Sequence, residues 1–270
     1  MMHIIPEPKD ITIHQGAGCF PFSAETALVN SVLAQAALED FQSFLKKNFH
    51  FGLTQSEGAT RLVLARMEEG DPEAYRIEVS EQEICISSAG EAGLFYALQT
   101  LKQILLTNGC KIPSLSINDA PLYHYRGFML DVGRYFYPVE EVKHFLDLMA
   151  VHKLNIFHWH LTEDQGWRVE IKKYPRLTEF GSKRSHTNFG FRPHSGFYTQ
   201  EDIREVVAYA HSKYIKVIPE IDMPGHMQSA IACYPELSCF NRSLPVATHW
   251  GVKHDILCCL LYTSPSPRDS

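Results

Sequence analysis

Two patterns of apolar and polar positions divide the chain. Up to about residue 118, short runs alternate with period two between turn residues. Arg61–Arg66, Tyr75–Val79 and residues 83–87 are three such runs, which predicts antiparallel strands with one buried face. Ile11-Thr12-Ile13 opens a further strand. A helix is predicted from Ser23, whose hydroxyl can cap it, with Ala24, Ala27, Leu28, Leu38, Phe41 and Leu45 near helical spacing. A second, over residues 91–106, sets Leu94, Leu98, Leu101 and Leu105 on one stripe and ends at Asn108-Gly109. Ser114 to Ile117 is expected to add an edge strand.

Near Asn118-Asp119-Ala120-Pro121 the pattern changes to strands alternating with helices, which argues for a parallel sheet. Three apolar strands each end in charged residues: Phe128 to Leu130 before Asp131 and Arg134, Leu154 to His160 before Glu163 and Asp164, and Ile215 to Ile221 before Asp222 and His226. In a (β/α) barrel the strand C-termini open onto one face, so such groups converge there. Pro138 suits the first turn of a helix to about His152, and Thr199 with Asp202 resembles a capping box opening a helix to about Lys213. Residues 161–198, rich in Gly, Pro, His and aromatics, are expected to form a substrate-facing loop. The expected fold class is therefore α/β: about the first three βα units of a truncated (β/α)8 TIM barrel over residues 121–258, preceded by a small α+β domain over 1–120.

Composition adds limits. The chain has 270 residues, 45% hydrophobic and 21% charged, with a net charge of -6, which gives no reason to expect nucleic acid as a partner. No run is apolar and long enough to span a membrane, and no basic segment with a long apolar run marks a secretory signal, so the compartment stays open. Seven scattered cysteines lack the paired spacing of a zinc site and read as small buried side chains. Asn241-Arg242-Ser243 matches the glycosylation pattern and reads as a chance match. Residues 259–270, ending Ser264-Pro265-Ser266-Pro267-Arg268-Asp269-Ser270, read as the translation of a transposase sequencing adapter, so a native sequence to about Cys258 is expected.

Several residues carry candidate chemistry. The planar fork of Arg134 can donate to vicinal sugar hydroxyls or pair structurally with Asp131. On the second strand Asn155, Phe157 and Trp159 share one face, and Ile156, His158 and His160 the other. His158-x-His160 invites a metal reading, but two histidines are too few ligands. Glu163 and Asp164 can bind hydroxyls, tune a neighbour's pKa, or simply be solvated loop charges. Asp222 and His226 flank a Pro-Gly turn, close enough for the carboxylate to orient the imidazole.

The strings Arg126-Gly127-Phe128-Met129-Leu130-Asp131-Val132-Gly133-Arg134-Tyr135-Phe136, Lys153 to Arg168 (Lys-Leu-Asn-Ile-Phe-His-Trp-His-Leu-Thr-Glu-Asp-Gln-Gly-Trp-Arg) and Pro219-Glu220-Ile221-Asp222-Met223-Pro224-Gly225-His226 resemble glycoside hydrolase family 20, the β-N-acetylhexosaminidases. The resemblance spans almost everything up to Cys258. It implies exo-hydrolysis of terminal β-linked GlcNAc or GalNAc from a glycan, glycoconjugate or chitooligosaccharide by a substrate-assisted retaining route, with no cofactor and no metal. It also implies that Arg134 binds sugar hydroxyls, that Glu163 stands where the family usually has aspartate, and that Asp222 and His226 support the catalytic acid. The family's catalytic Asp-Glu pair lies in a Gly-Gly-Asp-Glu string, which occurs nowhere in these residues, so they are expected to be inactive alone. Two other readings stand beside it: a metal-dependent amidohydrolase barrel using His158 and His160, and a non-enzymatic sugar-binding or interaction protein.

Overall fold

The computed structural model describes residues 3–29, 34–55, 58–187 and 192–258. They fall into two compact units, one of Met1–Arg126 with Leu146–Asn155 and His211–Ile215, the other of Gly127–Phe145, Ile156–Ala210 and Lys216–Ser270. The tail at 259–270 lies outside the described residues.

The first unit contains β1 (Asp10–Ile13), β2 (Cys19–Pro21), β3 (Ala27–Val29), α1 (Gln35–Phe49), β4 (Arg61–Arg66), β5 (Tyr75–Val79), β6 (Glu83–Ser88), α2 (Glu91–Asn108), β7 (Lys111–Pro113) and β8 (Leu115–Asp119). Six strands form one sheet in the order β1-β8-β5-β6-β4-β3, and β2 pairs with β7. Leu62, Leu64, Ile77, Ile84 and Ile86, the alternate residues of three strands, are fully buried, as are Phe41 and Leu45 of α1. Burial of that apolar surface is the main stabilising contribution to this unit.

Three expectations are corrected here. The first helix begins at Gln35, not Ser23, and Ala27–Val29 is a strand whose Ala27 and Leu28 N–H groups donate to Thr60 and Thr54 carbonyls, both at 2.9 Å. Ser23 does bind backbone, but it closes a turn: its hydroxyl accepts the Glu25 N–H and its carbonyl that of Thr26. β4 runs parallel to β6 rather than antiparallel to β5, because β6 inserts between them. The segment from Ser114 is interior, since β1 pairs with its outer side.

The second unit is built on three parallel strands, β9 (Gly127–Asp131), β10 (Ile156–His160) and β15 (Lys216–Glu220), in the order β15-β10-β9. Helix α3 (Val139–Val151) follows β9, and α5 (Gln200–Ser212) precedes β15. α5 opens on the expected capping box: Thr199 Oγ1 accepts the Asp202 N–H at 3.0 Å, and Asp202 Oδ2 accepts the Thr199 N–H at 2.8 Å. The long connection after β10 carries two hairpins, β11 (Thr162–Glu163) with β12 (Gly166–Trp167) and β13 (Lys183–Arg184) with β14 (His194–Ser195), and the short helix α4 (Arg176–Glu179). After β15 comes α6 (Gln228–Cys233). Phe157 and Trp159 are fully buried on one face of β10, Trp159 against Tyr198 with ring centroids 4.7 Å apart. No helix among the described residues is long and apolar enough to cross a membrane.

Candidate active site

Register places the chemistry. Asp131, His160 and Glu220 lie on one rung across β9, β10 and β15, so each strand delivers a polar residue to the same edge. His158 Nε2 pairs with Glu220 Oε2, and His160 Nδ1 stands 3.6 Å from the same oxygen.

Beyond the rung, Arg134 is held from both sides. Its backbone N–H donates to Asp131 Oδ1 at 3.0 Å, one guanidinium nitrogen pairs with Asp131 Oδ2, and the other pairs with Glu163 Oε1. Burial works against its charge, yet Asp131, Glu163 and Asp164 hold its pKa above the ordinary value. The side chain keeps 32% of its surface open, enough for the fork to meet a ligand. Both of the roles left open for Arg134 are thus compatible: pairing with Asp131 orients the guanidinium rather than hiding it.

Glu163 is 1% exposed. Its Oε2 accepts the Asp164 N–H at 2.7 Å, and its Oε1 lies 2.8 Å from His226 Nδ1 as well as against Arg134. Burial dominates and raises its pKa, offset in part by the Asp164 N–H, Arg134 and His226. Gly133 is required beside it, since a Cβ there would stand 2.9 Å from the Glu163 Cβ. The hairpin is tied down by Ser229 Oγ donating to the Glu163 carbonyl at 2.6 Å and by the Gln228 N–H donating to Asp164 Oδ1 at 3.0 Å.

His226 occupies a left-handed backbone conformation, φ 58°, a strained choice for a residue with a Cβ and one frequent at functional sites. Its imidazole is half exposed. With Nδ1 against Glu163, Nε2 is left for a third group. Here the structure corrects the expected partnership: His226 pairs with Glu163, not with Asp222. Asp222 instead places Oδ2 3.8 Å from His160 Nε2 and donates its backbone N–H to Thr162 Oγ1 at 3.3 Å. The turn of Pro224 and Gly225 carries His226 away from the strand end, across to the β11–β12 hairpin, which is why spacing alone misassigned it.

Ligand atoms of His160, Glu220 and Asp222, and of Glu163, Asp164 and His226, lie close enough for each trio to surround a cation. In the first, His160 Nε2 already donates to the Thr162 carbonyl at 2.8 Å, which removes that nitrogen from coordination. His158 pairs with Glu220, whereas the hydrogen bond of His160 goes to the Thr162 carbonyl.

Arg168 escaped the sequence reading, although it ends the second motif. It is fully buried, with Nε donating to the Val132 carbonyl at 3.0 Å, one terminal nitrogen to Ser182 at 2.7 Å and Gly196 at 3.0 Å, and the other to Gly133 at 3.0 Å. Two of these four carbonyls immediately precede Arg134. His194 Nε2 accepts the Phe136 N–H at 2.8 Å on the other side. Burial, with Arg168 and Arg184 nearby, lowers the His194 pKa to about 4 and keeps this acceptor neutral.

Parallel strands ending in guanidinium, carboxylate and imidazole groups define a mixed α/β protein with its chemistry at the strand ends. Comparison with known proteins narrows this. Residues 123–264 match the glycosyl hydrolase family 20 catalytic domain, and residues 1–120 match domain 2 of that family. The chain belongs to glycoside hydrolase family 20. A beta-hexosaminidase of Porphyromonas gingivalis is 47% identical over 195 residues, 69% of this chain and 25% of that protein. The exo beta-N-acetylglucosaminidase of Vibrio harveyi, solved in complex with N-acetylglucosamine, is 37% identical with a TM-score of 0.79, over 87% of this chain and 38% of that one. The beta-N-acetylhexosaminidase of Streptomyces coelicolor is 34% identical with a TM-score of 0.83, over 94% and 53%. The chain thus spans from a quarter to about half the length of these relatives. None of them favours the amidohydrolase alternative.

Proposed function

We propose that these residues are part of an exo-acting β-N-acetylhexosaminidase that removes terminal β-linked GlcNAc or GalNAc from a glycan, glycoconjugate or chitooligosaccharide. On this reading the three parallel strands open a (β/α)8 barrel over 121–258, and residues 1–120 are the preceding α+β domain. Arg134 binds hydroxyls of the terminal sugar. Glu163 and His226 form a carboxylate–imidazole pair, and Asp222 and His226 support the general acid, which is not among these residues. The route is the substrate-assisted one, in which the 2-acetamido group attacks the anomeric carbon and no enzyme nucleophile is needed.

The observation that carries the reading is the Arg134 guanidinium, oriented by Asp131 and buried Glu163 yet open to a ligand. Titration calorimetry of GlcNAc against the 270-residue chain tests it. Losing a bidentate donor leaves sugar hydroxyls or Glu163 unsatisfied, about 1–3 kcal/mol, so Arg134→Ala should weaken GlcNAc binding roughly 5- to 150-fold. Equal affinity in the variant would make Arg134 purely structural. Without a Gly-Gly-Asp-Glu string the same chain should leave a chromogenic β-N-acetylglucosaminide uncleaved, since losing positioned acid catalysis alone costs ~10²–10⁴-fold.

A further inference from the structure

A cavity of about 170 Å³ lies in the second unit beside this site, lined by Tyr135, Gln165, Arg184, His249 and Trp250 among others. Two of its residues adjoin the site in sequence: Tyr135 follows Arg134, and Gln165 is two residues after Glu163. The far wall is held in place by hydrogen bonds. The Ala247 N–H donates to the Asp164 carbonyl at 3.0 Å, Gln165 Nε2 donates to the His249 carbonyl at 3.0 Å, and Gln228 Nε2 donates to the Pro245 carbonyl at 2.8 Å.

The chemistry of the wall is unusual for a structural cavity. Arg184 is 7% exposed and its side chain, among the described residues, has no carboxylate partner; the guanidinium's one hydrogen bond is from a terminal nitrogen to the Gln165 carbonyl at 3.1 Å, and its Nε has none. A buried cation without an anion is costly unless something supplies one. Gln165 is 2% exposed; its Nε2 is committed to His249, which fixes the amide orientation, and its Oε1 accepts from none of the described residues. The wall therefore offers an unpaired guanidinium donor at Arg184 and an open amide acceptor at Gln165. Among the described residues, no acid lines the cavity. Trp250 and Tyr135 are more than half exposed, Tyr135 with its ring stacked on His194 at a centroid distance of 4.1 Å, and exposed aromatic faces suit the C–H face of a pyranose.

We infer that this cavity is a second saccharide subsite, built for a sugar that bears an anionic group and is linked to the terminal hexosamine. Trp250 and Tyr135 stack on the ring, Arg184 meets its carboxylate or sulfate, and Gln165 accepts from a hydroxyl. The assignment rests on the terminal-sugar site around Arg134 and sharpens it, since it selects acidic glycans over neutral chitin fragments.

Calorimetry on the 270-residue chain distinguishes the two. The probes are N,N′-diacetylchitobiose and the disaccharide of N-acetylglucosamine β-linked to glucuronic acid, at low salt. The acidic disaccharide is expected to bind at least about tenfold tighter, with the gap closing as ionic strength screens the pair. Arg184→Gln should erase the gap while lowering chitobiose affinity less than about threefold, and Trp250→Ala should weaken both. An acidic disaccharide bound no tighter than chitobiose, absence of binding included, overturns the subsite, as does a gap that survives Arg184→Gln. If that variant does not fold, the salt dependence of the unaltered chain decides alone: parallel slopes for both sugars overturn it. Failure of the terminal-sugar reading looks different, because Arg134→Ala would then leave both affinities unchanged whatever the gap.

Discussion

Asp40 offers the sharpest stability test of the first unit. Its carboxylate, on α1, pairs with Lys102 through Oδ2 and with Lys213 through Oδ1, and Gln99 Nε2 donates to it at 2.9 Å. The lysines are each 9% exposed. Burial alone would raise the Asp40 pKa, but the two ammonium groups more than reverse this and hold it below the ordinary 3.8. Lys102 moves the other way: burial lowers its pKa in spite of Asp40. One anion is shared by two cations, so Asp40 gains from both ammonium groups while Lys102 also faces the like charge of Lys213. Asp40→Ala leaves Lys102 buried without a contacting anion, while Lys213 keeps Asp147 at 3.1 Å. Removing one partner of a buried ion pair costs about 3–5 kcal/mol. At roughly 2–4 °C per kcal/mol for a unit of this size, the melting transition followed by circular dichroism should fall by roughly 6–20 °C near neutral pH. The folded pKa is the depressed one, so this stability is present above the unfolded carboxylate value and lost as pH falls through the folded one. The deficit of the variant should accordingly shrink in acid. A fall under about 2 °C at neutral pH, or one that grows in acid, would refute the reasoning.

Two further outcomes follow from buried polar groups in the second unit. Glu163 has its folded pKa raised, so its contribution is full below the ordinary 4.5 and lost as pH rises through the folded value; Glu163→Gln should therefore melt higher than the unaltered chain near neutral pH and converge with it in acid, and a lower neutral melting point would contradict this. Arg168→Lys replaces a five-donor fork by a point charge that cannot reach four carbonyls; with buried acceptors left unsatisfied at about 1–3 kcal/mol each, it should lower both the melting point and GlcNAc affinity, and an unchanged affinity would detach Arg168 from the positioning of Arg134.

How much of this was legible in the sequence depended on whether the signal was local. Thr199 and Asp202 are three apart and bond each other, so the capping box could be read directly. The alternation of Phe157 and Trp159 against His158 and His160 likewise fixed the faces of β10, because a strand has only two. Partner choice across the chain was not legible. Whether Ser114 to Ile117 sits at an edge depends on Asp10–Ile13, about a hundred residues earlier. The partner of His226 depends on a hairpin sixty residues upstream, and nothing in Asp222-Met223-Pro224-Gly225-His226 reports where that hairpin lies. Arg168 was hidden for a related reason: its acceptors are backbone carbonyls, which every residue has, so no residue type marks the site.

The same non-local pairing bears on whether residues 1–120 form a free-standing domain, as the change of pattern near Asn118 suggested. Asp119, 11% exposed in its side chain, has its cation at Lys153, with Nζ 3.0 Å from Oδ2; Lys153 Nζ also donates to the Tyr75 hydroxyl at 2.7 Å. Glu73, 16% exposed, receives Arg126 and the Asn155 side-chain amide. All of these residues lie in the first compact unit, yet Arg126, Lys153 and Asn155 lie beyond residue 120. A chain ending there would keep Asp119 and Glu73 but lose the cation of each. At about 3–5 kcal/mol for each broken pair, against the 5–15 kcal/mol that stabilises a typical domain, two such losses remove most or all of the margin unless the acids become solvated. Limited proteolysis followed by mass spectrometry should therefore protect residues 146–155 and 211–215 along with residues 10–118, rather than release the latter as a resistant core. Expression of 1–120 should give a chain that melts without cooperativity or far below the first unit of the whole chain. A soluble 1–120 fragment with a cooperative transition at the same temperature would show that the domain holds without these cations, and that Lys153 and Arg126 serve other ends.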